Sequence, residues 1–176
     1  MARSVSATPV ATRPTEPLRA EHRELLPHIE RLRRVADRIG DAAAPALRAE
    51  LDEAYTFLTG HLVPHATAED EVLYPAVARI LGSPKATATM SRDHTAVAAL
   101  IDELGVLRHA AADEHARDLR RILYGLHAMV STHFAKEEEI YLPLLDEHLT
   151  PEEASRLFAS MEQAAGRIKA RMLTVR

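Results

Sequence analysis

The sequence predicts an all-α protein, an antiparallel up-down-up-down four-helix bundle with an additional C-terminal helix. Three observations carry this. Ala, Leu, Glu and Arg dominate the 176 residues, with only 6 Gly and few strand formers. Apolar side chains recur at helical spacing in five successive stretches. The links between those stretches are short, which makes consecutive helices antiparallel neighbours.

Residues 1–14 are polar and Ser/Thr/Pro-rich and read as a disordered tail. The first helix opens at Thr15 as N-cap with Pro17 in its first turn. It carries Leu18, Leu25, Ile29, Leu32 and Val35, with a kink expected at Pro27 and an end at Gly40. The second starts near Pro45 and presents Leu47, Leu51, Tyr55, Leu58 and Leu62. Pro64 predicts a kink, and Pro75 to Gly82 an end. Ser83-Pro84 reads as cap and first turn of the third, which holds Met90, Val97, Leu100, Ile101 and Leu104 and stops near His109. The fourth runs from about Asp113 through Leu119, Ile122, Leu126, Met129 and Phe134 towards Pro143. Thr150-Pro151-Glu152-Glu153 is a capping box that opens the fifth, which reaches about Met172. The expected organisation is a tail over 1–14, a bundle over 15–148 and a helix over 149–176 packed on it.

Composition narrows function. The absence of Cys excludes disulfides, thiolate zinc sites, iron–sulfur clusters and cysteine nucleophiles. There is no run of 18 apolar residues to cross a membrane, and the first sixteen residues lack the apolar centre of a secretory signal. A net charge of -4 argues against nucleic acid as a partner. The expectation is a cytoplasmic protein, and ten His stand out in it.

The chemistry sits in an internal repeat. His65-Ala-Thr-Ala-Glu69-Asp70-Glu71-Val72-Leu73-Tyr74-Pro75 overlies His133-Phe-Ala-Lys-Glu137-Glu138-Glu139-Ile140-Tyr141-Leu142-Pro143. Upstream, Glu21-His22 overlies Asp93-His94, followed by matched apolar positions Leu25/Val97, Ile29/Ile101 and Leu32/Leu104. One helical hairpin is used twice, each copy with one His on its first helix and His-x3-Glu on its second. Residues i and i+4 share a helix face, so each imidazole and carboxylate can aim at one centre. Two such pairs plus the two single His make four His and two Glu in the bundle interior. Buried carboxylates without compensation are very costly, so the cluster implies a metal. Isolated His-x3-Glu pairs carry little weight, and a third, His148 to Glu152, crosses Thr150-Pro151 and is discarded. The bland alternative is a solvated acidic face with ordinary surface His; the duplicated frame and matched upstream His weigh against it.

At these residues the chain resembles the hemerythrin-like, HHE cation-binding family over roughly residues 17–148. On that resemblance, His22, His65, Glu69, His94, His133 and Glu137 are metal ligands. It implies a non-haem di-iron centre bridged by the two carboxylates and an oxo or hydroxo group, and activity towards dioxygen, peroxide or nitric oxide or in sensing. Manganese and zinc also suit imidazole and carboxylate.

Oxygen carriers of the family place His-x3-His on the third helix; here Ala98 follows His94 by four. His61, four before His65, is the candidate fifth ligand, with His28 as alternative; His127 lies off the face, and His109, His115 and His148 lie near helix ends. Tyr141 follows Glu137 by four and is a candidate donor to the site, or core. Two near-octahedral irons offer about twelve positions, and four His, two bridging carboxylates and one oxygen bridge leave about two open. That favours sensing or peroxide handling over bulk oxygen carriage. The expected function is binding of dioxygen or related small oxidants in a sensing or protective role. The alternatives are turnover of peroxide or nitric oxide at the same site, or a non-catalytic, metal-stabilised interaction domain.

Overall fold

The computed structural model describes residues 13–41, 44–110 and 114–174. The expected tail therefore lies almost wholly outside the described residues, as does Asp113. Within them there are five helical rods and no strand. The first, α1, is Glu16–Arg38. The second, α2, passes without a break through Ala44–Phe57, Leu58–Leu62, Val63–Ala68, Glu69–Leu73 and Tyr74–Ile80. The third, α3, is Ala88–Leu107. The fourth, α4, joins Ala116–Lys136, Glu137–Tyr141 and Leu142–His148. The fifth, α5, is Pro151–Thr174.

The segments Leu58–Leu62, Glu69–Leu73 and Glu137–Tyr141 are π-helical turns, and each ends two residues before a proline, Pro64, Pro75 or Pro143. Proline lacks an N–H, and its ring strikes the carbonyl four residues back. A widened turn moves that carbonyl aside and hands its neighbour to a donor five residues on: Val63 N–H to Leu58 O, Tyr74 N–H to Glu69 O, Leu142 N–H to Glu137 O. The rods thus run through their prolines. The α4 rod continues past Pro143 to His148, and α1 runs unbroken through Pro27.

Two expected caps are corrected. Thr15 occupies the N-cap position of α1, but its hydroxyl donates to Asp146 Oδ1 at 2.8 Å instead of capping, tying the start of α1 to the end of α4. Ser83-Pro84 does not open α3, which starts at Ala88 after Thr87. The Thr150 box is present: Glu153 N–H donates to Thr150 Oγ1 at 3.2 Å and Thr150 N–H to Glu153 Oε2 at 2.9 Å.

Helix α1 packs on α2 and α4, and α3 packs on the same two, closing a four-membered ring. Helix α5 lies along α2 beside Val63–Leu73. Two apolar clusters fill the ring. One contains Leu25, Ile29, Leu32, Leu51, Leu58, Leu62, Ile101, Leu104, Ile122, Leu126 and Phe134. The other contains Leu18, Leu73, Val77, Met90, Leu142, Leu145 and Met161, with α5 contributing. Along every bundle helix the imidazoles and carboxylates of the repeat fall between the two.

Leu104 is fully buried in the first cluster. Leu104→Ala should lower unfolding free energy by about 2–5 kcal/mol through loss of burial and a residual cavity. Urea denaturation checks the loss; metal stoichiometry should stay unchanged, because the cluster and the polar layer are separate.

Candidate metal centre

His22 from α1, His65 and Glu69 from α2, His94 from α3, and His133 and Glu137 from α4 meet between the two apolar clusters. His22, His65, Glu69, His133 and Glu137 are buried, and His94 nearly so. The donor atoms sort into two sets. His65 Nε2 lies 3.0 Å and His22 Nε2 3.8 Å from Glu69 Oε1, and His22 Nε2 lies 3.4 Å from Glu137 Oε2. On the other side, His94 Nε2 lies 3.2 Å from Glu69 Oε2, His133 Nε2 3.5 Å from Glu137 Oε1, and the two nitrogens 3.0 Å from each other. Each carboxylate presents one oxygen to each set. The sets {His22, His65, Glu69, Glu137} and {Glu69, His94, His133} each fall within 4.8 Å, the spread one ion can gather.

His94 and His133 are hydrogen-bonded to each other, but most of the remaining short distances are not hydrogen bonds. His22 Nε2, His65 Nε2, both oxygens of Glu69 and Glu137 Oε2 have no hydrogen-bond partner among the described residues, although they are buried. They converge without pointing at one another. For metal–nitrogen bonds of about 2.1 Å, adjacent ligands at right angles lie about 3.0 Å apart, and the separations here run from 3.0 to 3.8 Å. Orphaned, convergent nitrogen and oxygen donors fit a cation.

A second layer of carboxylates aims the imidazoles. His22 Nδ1 lies 2.8 Å from Glu138 Oε1 and His94 Nδ1 2.9 Å from Asp70 Oδ2, across the two hairpins. His65 Nδ1 lies 3.1 Å from Glu21 Oε1 and His133 Nδ1 3.3 Å from Asp93 Oδ2, within each hairpin. All four come from the repeat: the acid before each upstream His and the acid after each Glu. Carboxylates hydrogen-bonded to the outer nitrogens of His22, His94 and His133 fix the tautomer so that Nε2 faces inward, while Glu21 lies beside His65 Nδ1 without a hydrogen bond. Arg19 pairs with Glu138, Lys136 with Asp93, and Ser91 donates to Asp70 at 2.6 Å.

In the metal-free chain, protons supply the positive charge. Burial opposes protonation of His65, but Glu69 and Glu21 outweigh it and hold the imidazole well above its ordinary 6.5. Burial opposes it at His133 too, yet Glu137 and Glu69 raise that group to about 10. Burial alone would raise Glu69; His65, His133 and His22 hold it well below 4.5.

His61 does not join the cluster. It is exposed, its ring 5.9 Å from Phe57. The inward stripe of α2 reads Leu58, Leu62, His65, Glu69, and Leu62 takes the place one turn before His65 that His61 was expected to hold. His28 is also exposed and stacks on Phe57 at 4.4 Å. His127 pairs with Glu30 at 2.8 Å. Tyr141 reaches the Ala86 carbonyl at 3.4 Å, away from the centre.

The tyrosine at the centre is Tyr74, which spacing did not single out. Its hydroxyl donates to Glu137 Oε1 at 2.8 Å and lies 2.9 Å from His133 Nε2. Burial first, then the Glu69 and Glu137 charges, push its phenol far above the ordinary range. An α-helix would carry residue 74 away from the face of residue 69; the π-turn stacks them. The signal available in sequence was Pro75, two residues after the end of that turn.

This fold and site define a helical-bundle metal-binding protein. The chain matches the family described as Hemerythrin HHE cation binding domain over residues 13–145, and again over 85–174 in an overlapping register. It belongs to that family. The second register starts on the second hairpin, as a duplicated unit allows. The chain is also similar to the zinc finger protein BRUTUS of Arabidopsis thaliana, 32% identical over 135 residues. That match covers 75% of this chain and 10% of the relative, so the chain spans about a tenth of that protein's length. With no cysteine, the chain does not share a zinc finger's thiolates. No solved structure matches it.

Asp70→Asn should weaken metal affinity about 10–100-fold by releasing the His94 ring, with helix content retained, as competition against a chelator would measure. A pH prediction follows from the raised imidazoles. In the metal-free chain their stabilisation is complete below about 6.5 and lost as pH rises, the His133 share through about 10, so the denaturation midpoint should fall as pH rises above about 6.5. Metal affinity should move the opposite way, rising with pH, because ligating imidazoles must be neutral.

Proposed function

We propose that this protein holds two iron ions and uses them to bind dioxygen or a related small oxidant in a sensing or protective role. One observation carries this: four imidazole nitrogens and two carboxylates divide into two donor sets that share Glu69, with the second oxygen of Glu137 3.5 Å from His133 Nε2. His22 and His65, with Glu69 Oε1 and Glu137 Oε2, would hold the first ion. His94 and His133, with Glu69 Oε2 and Glu137 Oε1, would hold the second. Such a pair supplies two electrons, or accepts two, at one place.

The chain does the rest. Phe134 stacks on His22 at 4.3 Å and meets His65 edge-on, sealing the centre from the larger apolar cluster. Leu73 and Leu142 border it on the other side, both fully buried. The dry surroundings strengthen the imidazole–carboxylate interactions and exclude larger polar molecules. Among the described residues no helix is long and apolar enough to cross a membrane.

Turnover of peroxide or nitric oxide is the second reading. It is favoured by a cavity of about 740 Å³ between α1 and α5 that has His65 and Glu21 in its wall. A route from outside to a ligand imidazole suits exchange of substrate and product.

Elemental analysis and an optical spectrum test the proposal. Two irons per chain are expected, with absorption that changes when reduced protein meets dioxygen or peroxide. Peroxide decay in catalytic excess favours turnover; a single spectral change per centre favours sensing. His65→Ala together with His133→Ala should abolish stoichiometric binding, and two ions retained by that variant would refute the ligand assignment.

A further inference from the structure

We propose that the phenol oxygen of Tyr74 is a fifth protein donor to the second ion, so that the two halves of the centre are chemically unequal. This rests on the two-ion reading above. Tyr74 is buried, and its hydroxyl has two partners among the described residues, Glu137 Oε1 at 2.8 Å and His133 Nε2 at 2.9 Å. Both are donors of the second set, and the spacings are those of neighbouring ligands on one ion. The Tyr74 ring lies near-parallel to His94, the remaining imidazole of that set, with centroids 5.6 Å apart and planes at 20°. The phenol oxygen is thus placed among the ligands of one ion and no other.

The π-turn Glu69–Leu73 puts it there, with the Tyr74 N–H on the Glu69 carbonyl. The same turn in the second copy puts Leu142 at the equivalent place, buried and without a donor atom. The duplication is therefore broken at one position. The second ion has two imidazoles, two carboxylate oxygens and a phenol; the first has two imidazoles and two carboxylate oxygens. The wall of the α1–α5 cavity contains His65, a ligand of the first ion. A smaller cavity has His94, a ligand of the second ion, in its wall.

When the ion enters, the phenol O–H bond is exchanged for an oxygen–metal bond and the proton leaves to solvent. The added negative donor favours the higher oxidation state by Coulomb attraction in a dry site. This sets the centre for oxidant handling rather than reversible oxygen carriage, even though five donors on one ion match a carrier in number.

Full-length metal-free protein titrated with zinc, and separately loaded with ferric iron, tests this. Zinc should produce the ultraviolet difference band of one tyrosinate per chain, and ferric iron a visible phenolate-to-iron charge-transfer band. Both should vanish in Tyr74→Phe with two ions still bound, and persist in Tyr141→Phe. A triple variant, Tyr55→Phe, Tyr124→Phe and Tyr141→Phe, leaves Tyr74 alone and should keep both signals, which covers the case in which Tyr74→Phe does not fold. Two ions bound without a tyrosinate signal, or a signal surviving Tyr74→Phe, overturns the Tyr74 proposal and leaves the two-ion reading standing. Fewer than two ions bound overturns both.

Discussion

Two carboxylates, Glu69 and Glu137, lie fully buried among four imidazoles, and the rest of the structure is arranged around that cost. Isolated, each would be expelled or neutralised. Here positive charge is brought to them, by protons on His65 and His133 in the metal-free chain or by metal in the loaded one. Protons and metal compete for the same nitrogens. Whatever fills the centre therefore sets the balance between the two apolar clusters above and below it. The helices cannot slide past one another without separating donors that must stay together.

The repeat explains how a short chain builds so many convergent groups. A single hairpin needs one acid–His pair on its first helix and His-x3-Glu-acid on its second. Used twice, it yields two ion positions, two shared carboxylates and four outer carboxylates. Glu138 reaches His22 and Asp70 reaches His94 across the hairpins, while Glu21 and Asp93 aim His65 and His133 within them. The outer acids thus join the hairpins as well as orienting the rings.

The bundle and the six central residues were legible in the sequence because both rest on spacings of three and four, which an α-helix turns into one face. The features that escaped rest on turns that are not α-helical. Tyr74 is five residues from Glu69, a spacing that reads as a different face until the π-turn stacks the two. The same rule misdirected attention to Tyr141, which is four from Glu137 but looks towards the Ala86 carbonyl. His61 was misjudged for a related reason. It is four from His65, but the inward path through that turn goes by Leu62, three away, and only one residue can occupy it. Pro64, Pro75 and Pro143 held the missing information, since a widened turn precedes each of them, whereas Pro27 sits in α1 without one.

Function then turns on where the symmetry fails. A strictly two-fold centre would give both ions equal surroundings and a ligand no preference between them. Tyr74 opposite Leu142 removes that equality inside the centre. Helix α5 belongs to no repeat, yet it runs along α2 next to His65 and Glu69, and Arg167 on it pairs with Glu71 at 2.9 Å. Helix α5 thus covers the flank of α2 that carries His65 and Glu69, and among the described residues the second hairpin has no counterpart to that cover.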